Sequence, residues 1–207
     1  MHGNLWKASA IFLTLVLVAC EAPKPASEAS PGAGSKAASA PQQPVSGKTA
    51  FWAMYKAAYS WAPDLVPLSL ESKSVPGIKN EGGKAAMWTA SFGSASRREA
   101  RTFSYSVAAS PPDIYKGVTV GNSLTWNGPT PAALAFTTSD FAVDSDAAYA
   151  TAAAQAAAWE KSHPGTDVSF TLGNAARFKA PVWYVLWGDK KSGYPVLVDA
   201  KSGAIVK

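Results

Sequence analysis

The 207-residue chain is poor in the side chains that most often bind metals or attack substrates: one cysteine, Cys20, and two histidines, His2 and His163. A single cysteine closes no disulfide within the chain and builds no zinc–thiolate cluster. His2 belongs to the leader over residues 1–19, so His163 alone remains, which excludes a multi-histidine metal site and leaves any serine–histidine scheme dependent on one imidazole. No Gly-x-Ser-x-Gly elbow is present to hold an activated serine. Charge is sparse as well, at 16% of residues, and no long Lys/Arg block accompanies the net charge of +5. That balance suits an anionic envelope surface and lacks the basic stripe of a nucleic-acid binder, so no nucleic acid is expected as partner. The apolar run Ala10–Ala19, interrupted only by Thr14, is too short for a comfortable membrane span.

What is present begins with an address. Lys7 makes the start basic, Ala10–Ala19 supplies the apolar stretch, and Leu17-Val18-Ala19-Cys20 closes a secretory leader over residues 1–19. Those last four residues resemble the lipobox of bacterial lipoproteins. The resemblance implies cleavage before Cys20, lipidation of its sulfur and acylation of the new amine. More than one acyl chain anchors firmly where a single chain holds only marginally. Cleavage removes His2 and lipidation occupies the only thiol, which excludes a cysteine nucleophile and leaves His163 alone. Glu21, not aspartate, follows the cysteine. Lipoprotein sorting habits then send such a chain, in a cell with two membranes, to the outer membrane facing the periplasm.

Residues 20–48 are rich in Ala, Pro, Ser, Gly and Lys and carry no aromatic ring. Such a stretch cannot bury enough apolar area to offset its ordering entropy, and a disordered tether is expected there. About 160 residues remain, enough for one compact domain or two small ones. They hold Trp52, Trp61, Trp88, Trp126, Trp159, Trp183 and Trp187, large rings that call for burial.

Two halves, 49–140 and 141–207, look alike. Each opens with a helix. Phe51, Met54, Tyr55, Ala58 and Trp61 recur at helical spacing before Pro63, and Ala148, Ala152, Ala156 and Trp159 mark one face before Pro164-Gly165. Ser145 reads as the second helix's N-cap, with Asp146 in its first turn. Short alternating strands follow at Leu68–Ser72 and Val168–Leu172. Trp88–Gly93 then aligns with Trp183–Gly188, and Phe103, Tyr105 and Val107 align with Tyr194, Val196 and Val198. Between the halves, Val118–Trp126 reads as a further strand and Asn127-Gly128-Pro129 as a turn.

The second half resembles a PepSY-like domain. The residues that carry the likeness are the helix start Val143–Ala147, the strand Pro181–Val185 and the ending Val196–Ile205, with its Asp199-x-x-x-Gly203 turn. The first half shares this only through the repeat, because Ala108–Lys116 replaces the Asp-x-x-x-Gly turn with a Pro111-Pro112 detour. The resemblance implies an antiparallel sheet packed on a helix in an exported protein, with a binding or peptidase-restraining role in place of catalysis.

The remaining candidates for chemistry each have a plain structural role. His163 follows the second helix, where a cation suits the dipole; catalytically it would be a general base. Asp144 and Asp146 are the one tight carboxylate pair, placed where a helix N-terminus favours negative charge. With Asp140 they suggest calcium, but the Asp-x-Asp-x-Asp-Gly loop is absent and no metal is expected. Arg97, Arg98 and Arg101 read as the first hairpin's turn and Lys190 and Lys191 as the second's. They are either solvated tips or a paired contact for an anion or a partner. The alternation in Trp183–Trp187 places apolar residues on both faces, as in a covered strand. The expected fold is therefore α+β, two tandem helix-plus-antiparallel-sheet units behind a tether. The expected function is non-enzymatic binding of an envelope protein or peptide, without a cofactor, beside a membrane reached through Cys20. A hydrolase using His163 or Asp144/Asp146, and a purely structural envelope component, are the alternatives.

Overall fold

A computed structural model describes residues 42–207; the leader, Cys20 and most of the expected tether lie outside them. The described chain is α+β. It runs β1 (Val45–Ser46), α1 (Gly47–Trp61), β2 (Val66–Lys73), β3 (Lys84–Ala85), β4 (Met87–Ser94), β5 (Glu99–Ser106), β6 (Gly117–Thr125), α2 (Ser145–Ser162), β7 (Val168–Gly173), β8 (Val182–Trp187) and β9 (Tyr194–Asp199). Seven strands form one antiparallel sheet in the order β6-β5-β4-β2-β7-β8-β9, and β1 pairs with β3 apart from it. The segments 49–140 and 141–207 thus share one continuous sheet. Their seam is short: Ser69, Leu70 and Glu71 of β2 oppose Gly173, Leu172 and Thr171 of β7.

Both helices lie on one face of the sheet, and their small residues let them approach it closely. Ala50, Phe51, Met54 and Ala58 of α1 and Ala148, Ala152 and Ala156 of α2 are buried against Trp88, Ala90, Phe92, Phe103, Trp183, Val185, Trp187, Val196 and Val198. Pro63 ends α1 by forcing the residue before it into an extended conformation, seen at Ala62 (φ −149°, ψ 113°). In β8 the alternate residues Val182 and Leu186, on the opposite face, are buried too. Trp183 and Trp187 are therefore core residues of a strand covered on both sides, not a sugar platform.

The helix N-termini meet, and the way they meet corrects the N-cap expected at Ser145. Asp144 caps α2, and Ser145 is its first helical residue. One carboxylate oxygen of Asp144 accepts from the backbone N–H of Ser145 at 2.7 Å and from that of Lys48, in the first turn of α1, at 2.8 Å. Two positive helix ends brought together repel, and a shared carboxylate offsets both. The Ser145 hydroxyl, fully buried, accepts from Gly47 N–H at 2.7 Å and donates to the carbonyl of Gly83. Gly47 is required here, since a Cβ would lie 2.9 Å from the Trp183 ring.

The same indole bond occurs in both halves. Trp88 Nε1 donates to the carbonyl of Val45 at 3.0 Å, and Trp183 Nε1 to that of Val143 at 2.9 Å; each acceptor lies one residue before its helix's N-cap. Trp61 and Trp159 are half-buried at the helix C-terminal ends, near Phe103 and Tyr194 respectively. The strand alignment is shifted from expectation. Trp88 opposes Tyr105 and Trp183 opposes Val198, so Phe103 corresponds to Val196 and Arg101 to Tyr194. The β4–β5 strands run two residues further before turning, and the sequence match of Phe103 with Tyr194 missed that extra length.

Candidate functional site

The residues singled out from sequence fall at separate places. His163 is the C-cap of α2 and is exposed. Its ring stacks on Trp159 (centroids 4.0 Å apart, planes 10°), and its Nδ1 lies 3.0 Å from the Trp159 carbonyl and 3.1 Å from Ser162 Oγ. Ser162 itself donates back to the Trp159 carbonyl at 2.9 Å, a helix-end hydroxyl without a carboxylate behind the imidazole. Asp144 and Asp146 serve the α2 N-terminus, where Asp146 accepts from Ala147 N–H at 2.8 Å. Asp140 is bound elsewhere, by the Thr137 hydroxyl at 2.7 Å and Lys201 Nζ at 3.2 Å; both hold its carboxyl below the usual range, the hydroxyl more strongly. Among the described residues, no cluster of three or more His, Cys, Asp or Glu could hold a metal ion. Nor is any described helix long and apolar enough to cross a membrane.

The basic residues do not form one place. Arg97 and Arg98 sit in the turn between β4 and β5, and Lys190 and Lys191 in the turn between β8 and β9. Each step from β4 through β2 and β7 to β8 reverses direction, so β4 and β8 run oppositely and their turns lie at opposite ends of the sheet. Arg101 is not in the turn. It belongs to β5, opposite Phe92 and Ser123, because the hairpin's strands are longer than the sequence suggested. Its guanidinium lies 5.3 Å from the Trp61 ring centroid, and that of Arg97 lies 5.7 Å from the same ring. Trp61 Nε1 and Arg101 Nε are both shielded and lack an acceptor among the described residues.

Asp64 ties this end of the sheet to the chain leaving α1. Its carboxylate accepts from Ser96 N–H at 2.9 Å and from Ser94 Oγ at 2.7 Å, which lowers its pKa from 3.8 to about 2. Arg98 has φ +54°, a left-handed conformation uncommon for a non-glycine residue. Its carbonyl accepts from Trp126 N–H at 2.9 Å, and the Trp126 ring lies over Gly93. A shallow depression of about 410 Å³ is lined there by Ala95, Arg98, Trp126, Asn127, Gly128 and Pro129.

Next to the arginines runs β6, an edge of the sheet. Its nine residues, Gly117–Thr125, include no charge and no proline, and Val120 and Leu124 are 60% and 72% exposed. The opposite edge, β9, is partly covered. The chain turns at Asp199, whose carboxylate accepts from Lys201 and Ser202 N–H, and returns so that Asp199 N–H donates to Ala204 and Val206 N–H to Leu197. Burial pushes the Asp199 carboxyl upward, but those backbone donors outweigh it and its pKa is lowered. The sequence showed β6 as a strand but could not show that it lies at an edge. It also missed a polar cleft of about 340 Å³ where β2 and β7 diverge, lined by Ser72, Lys79, Asn80, Asp167 and Ser169 among others. At the other end of that seam, Leu134–Phe136 bridges the strands through bonds to Asn174 and Pro67.

No family model matches this chain, and no curated protein matches it. Among solved structures it is similar to a candidate lipoprotein from Clostridium difficile 630, with a TM-score of 0.48 and 10% identity over 76% of this chain and 90% of that one. No function follows from a likeness at that level.

Proposed function

We propose that this chain is a lipid-anchored bacterial envelope protein that binds a protein or peptide partner and performs no chemistry on it. The observation that carries the reading is the β6 edge, a long, uncharged strand whose outer side pairs with no strand among the described residues and which exposes apolar side chains. Natural sheets usually blunt such edges, because they recruit further strands. The leader ending at Cys20 supports the anchor, with the outer membrane facing the periplasm as the site in a cell with two membranes. The Asp199–Gly203 turn and return strand support the PepSY-like likeness and its binding or peptidase-restraining sense. We also propose that the halves are copies of one unit; the matching Trp88–Val45 and Trp183–Val143 bonds, each one residue before a helix cap, support this.

A crosslinking pulldown from membranes tests the binding role. It is expected to recover one defined envelope protein, and Cys20→Ala should release the chain from the membrane fraction and abolish fatty-acid labelling. Recovery of no partner, or a hydrolytic activity lost in His163→Ala or Asp144→Asn, would overturn it.

A further inference from the structure

We propose that β6 receives an extended, acid-bearing segment of the partner as an eighth strand of the sheet, with the segment's carboxylates beside Arg97, Arg98 and Arg101. This rests on the binding role proposed above and specifies where and how it is exercised.

Three observations converge on that edge. First, among the described residues no strand pairs with its outer side along nine residues, roughly 30 Å at strand rise, whereas β9 is clipped by residues 204–206. Second, Val118 and Val120 oppose Tyr105 and Phe103, so they share the helix-side face, while Leu124 opposes Ala100 past a bulge and faces the other side. An added strand with alternating apolar residues would meet apolar side chains on both faces, and main-chain bonds would supply the affinity. Third, the charge is one-sided. Arg101 opposes Ser123, Arg97 and Arg101 share the Trp61 ring, and the Arg98 carbonyl holds Trp126 just past the strand's end, so three arginines gather at the C-terminal end of β6 against two carboxylates, Glu99 and Asp64, the latter already engaged by Ser94 and Ser96. At the other end Lys116 and Asp113 contribute one charge of each sign.

This pattern also selects the occupant. A second copy pairing antiparallel through its own β6 would bring Lys116 and Asp113 to the arginines, which supplies no net negative charge. A segment with carboxylates at its leading end does. Every neighbouring pair in the sheet is antiparallel, so the carboxylates are placed at the segment's N-terminal end.

The test uses the full chain carrying Cys20→Ala and two synthetic peptides of nine alternating valines and threonines. One begins with two glutamates and the other with two lysines. The glutamate peptide is expected to bind at least tenfold tighter, to weaken with added salt, and to slow hydrogen exchange at the amides of Gly117–Thr125. Arg97→Glu with Arg98→Glu should reverse the preference. Val120→Lys should abolish binding of both peptides while the thermal midpoint is unchanged, which separates a blocked edge from a failed fold. Equal binding of the two peptides, protection elsewhere in the sheet, or no binding at all would overturn the proposal. A photocrosslinker at Val120 in the membrane pulldown separates the two levels. If a defined partner is recovered but never through Val120, the strand addition fails and the binding role stands. If no partner is recovered, both fail.

Discussion

At the scale of single residues, two positions near the first hairpin make opposite demands. Arg98 holds a backbone conformation that glycine adopts freely, at a cost on the order of 1 kcal/mol for other residues. Arg98→Gly is therefore expected to raise stability by about 0.5–1 kcal/mol in urea titration, while weakening capture of an acidic segment. An unchanged or lowered midpoint would mean that the arginine side chain holds the turn. Asp64 acts through pH. Its folded pKa, lowered to about 2 from 3.8 by Ser96 N–H and the Ser94 hydroxyl, makes its contribution complete above about pH 4 and lost as pH falls toward 2. Asp64→Asn should lower stability at neutral pH and flatten its fall between those values. A wild-type curve that the variant reproduces would show that Asp64 is not responsible. In sequence Arg98 was legible only as a basic turn residue, and Asp64 not at all. A left-handed arginine leaves no compositional trace, and Asp64 acts on residues some thirty positions away.

At the scale of elements, the tryptophan alternation was readable because a buried strand writes its period into bulky rings. Trp88 and Phe92, like Trp183 and Trp187, point to the helix side as their spacing predicted. Hairpin length was not readable. Arg101 looks like a turn residue when the strand is assumed to end early, and only the cross-strand pairing with Phe92 corrects this. The helix caps were half readable, since Asp144 and Ser145 are both good capping residues and the choice was made by α1's N-terminus, distant in sequence. The indole bonds that tie each sheet half to its helix start give a paired prediction. Trp88→Phe and Trp183→Phe should each cost about 1–3 kcal/mol, from a lost buried hydrogen bond and lost volume. Thermal or urea unfolding checks this, and a large cost for only one of them would show that the two bonds are not equivalent.

At the scale of the whole molecule, the seam between β2 and β7 decides how the protein unfolds. Leu70 and Leu172 face each other there, fully buried. The N-terminus of α1 is completed by groups from the other half, through Asp144 on Lys48 and Ser145 on Gly47. One cooperative transition is therefore expected, with helix and tryptophan signals melting together. The 141–207 fragment alone should lack a sharp transition. Two separable transitions would mean that the halves are independent despite the shared sheet. This joining was invisible in the sequence, because Leu68–Ser72 and Val168–Leu172 each read equally well as an edge strand of its own unit.

The clasp at the start of the described fold has a mechanical consequence. β1 pairs with β3 over two residues, and its Val45 carbonyl is the acceptor for the fully buried Trp88. Tension on β1 would thus reach a core ring within one hydrogen bond. A pull strong enough to peel β1 away would strip Trp88 of its acceptor and α1 of its Ser46 cap together. The start of the described fold is then also the point at which force begins to open the core.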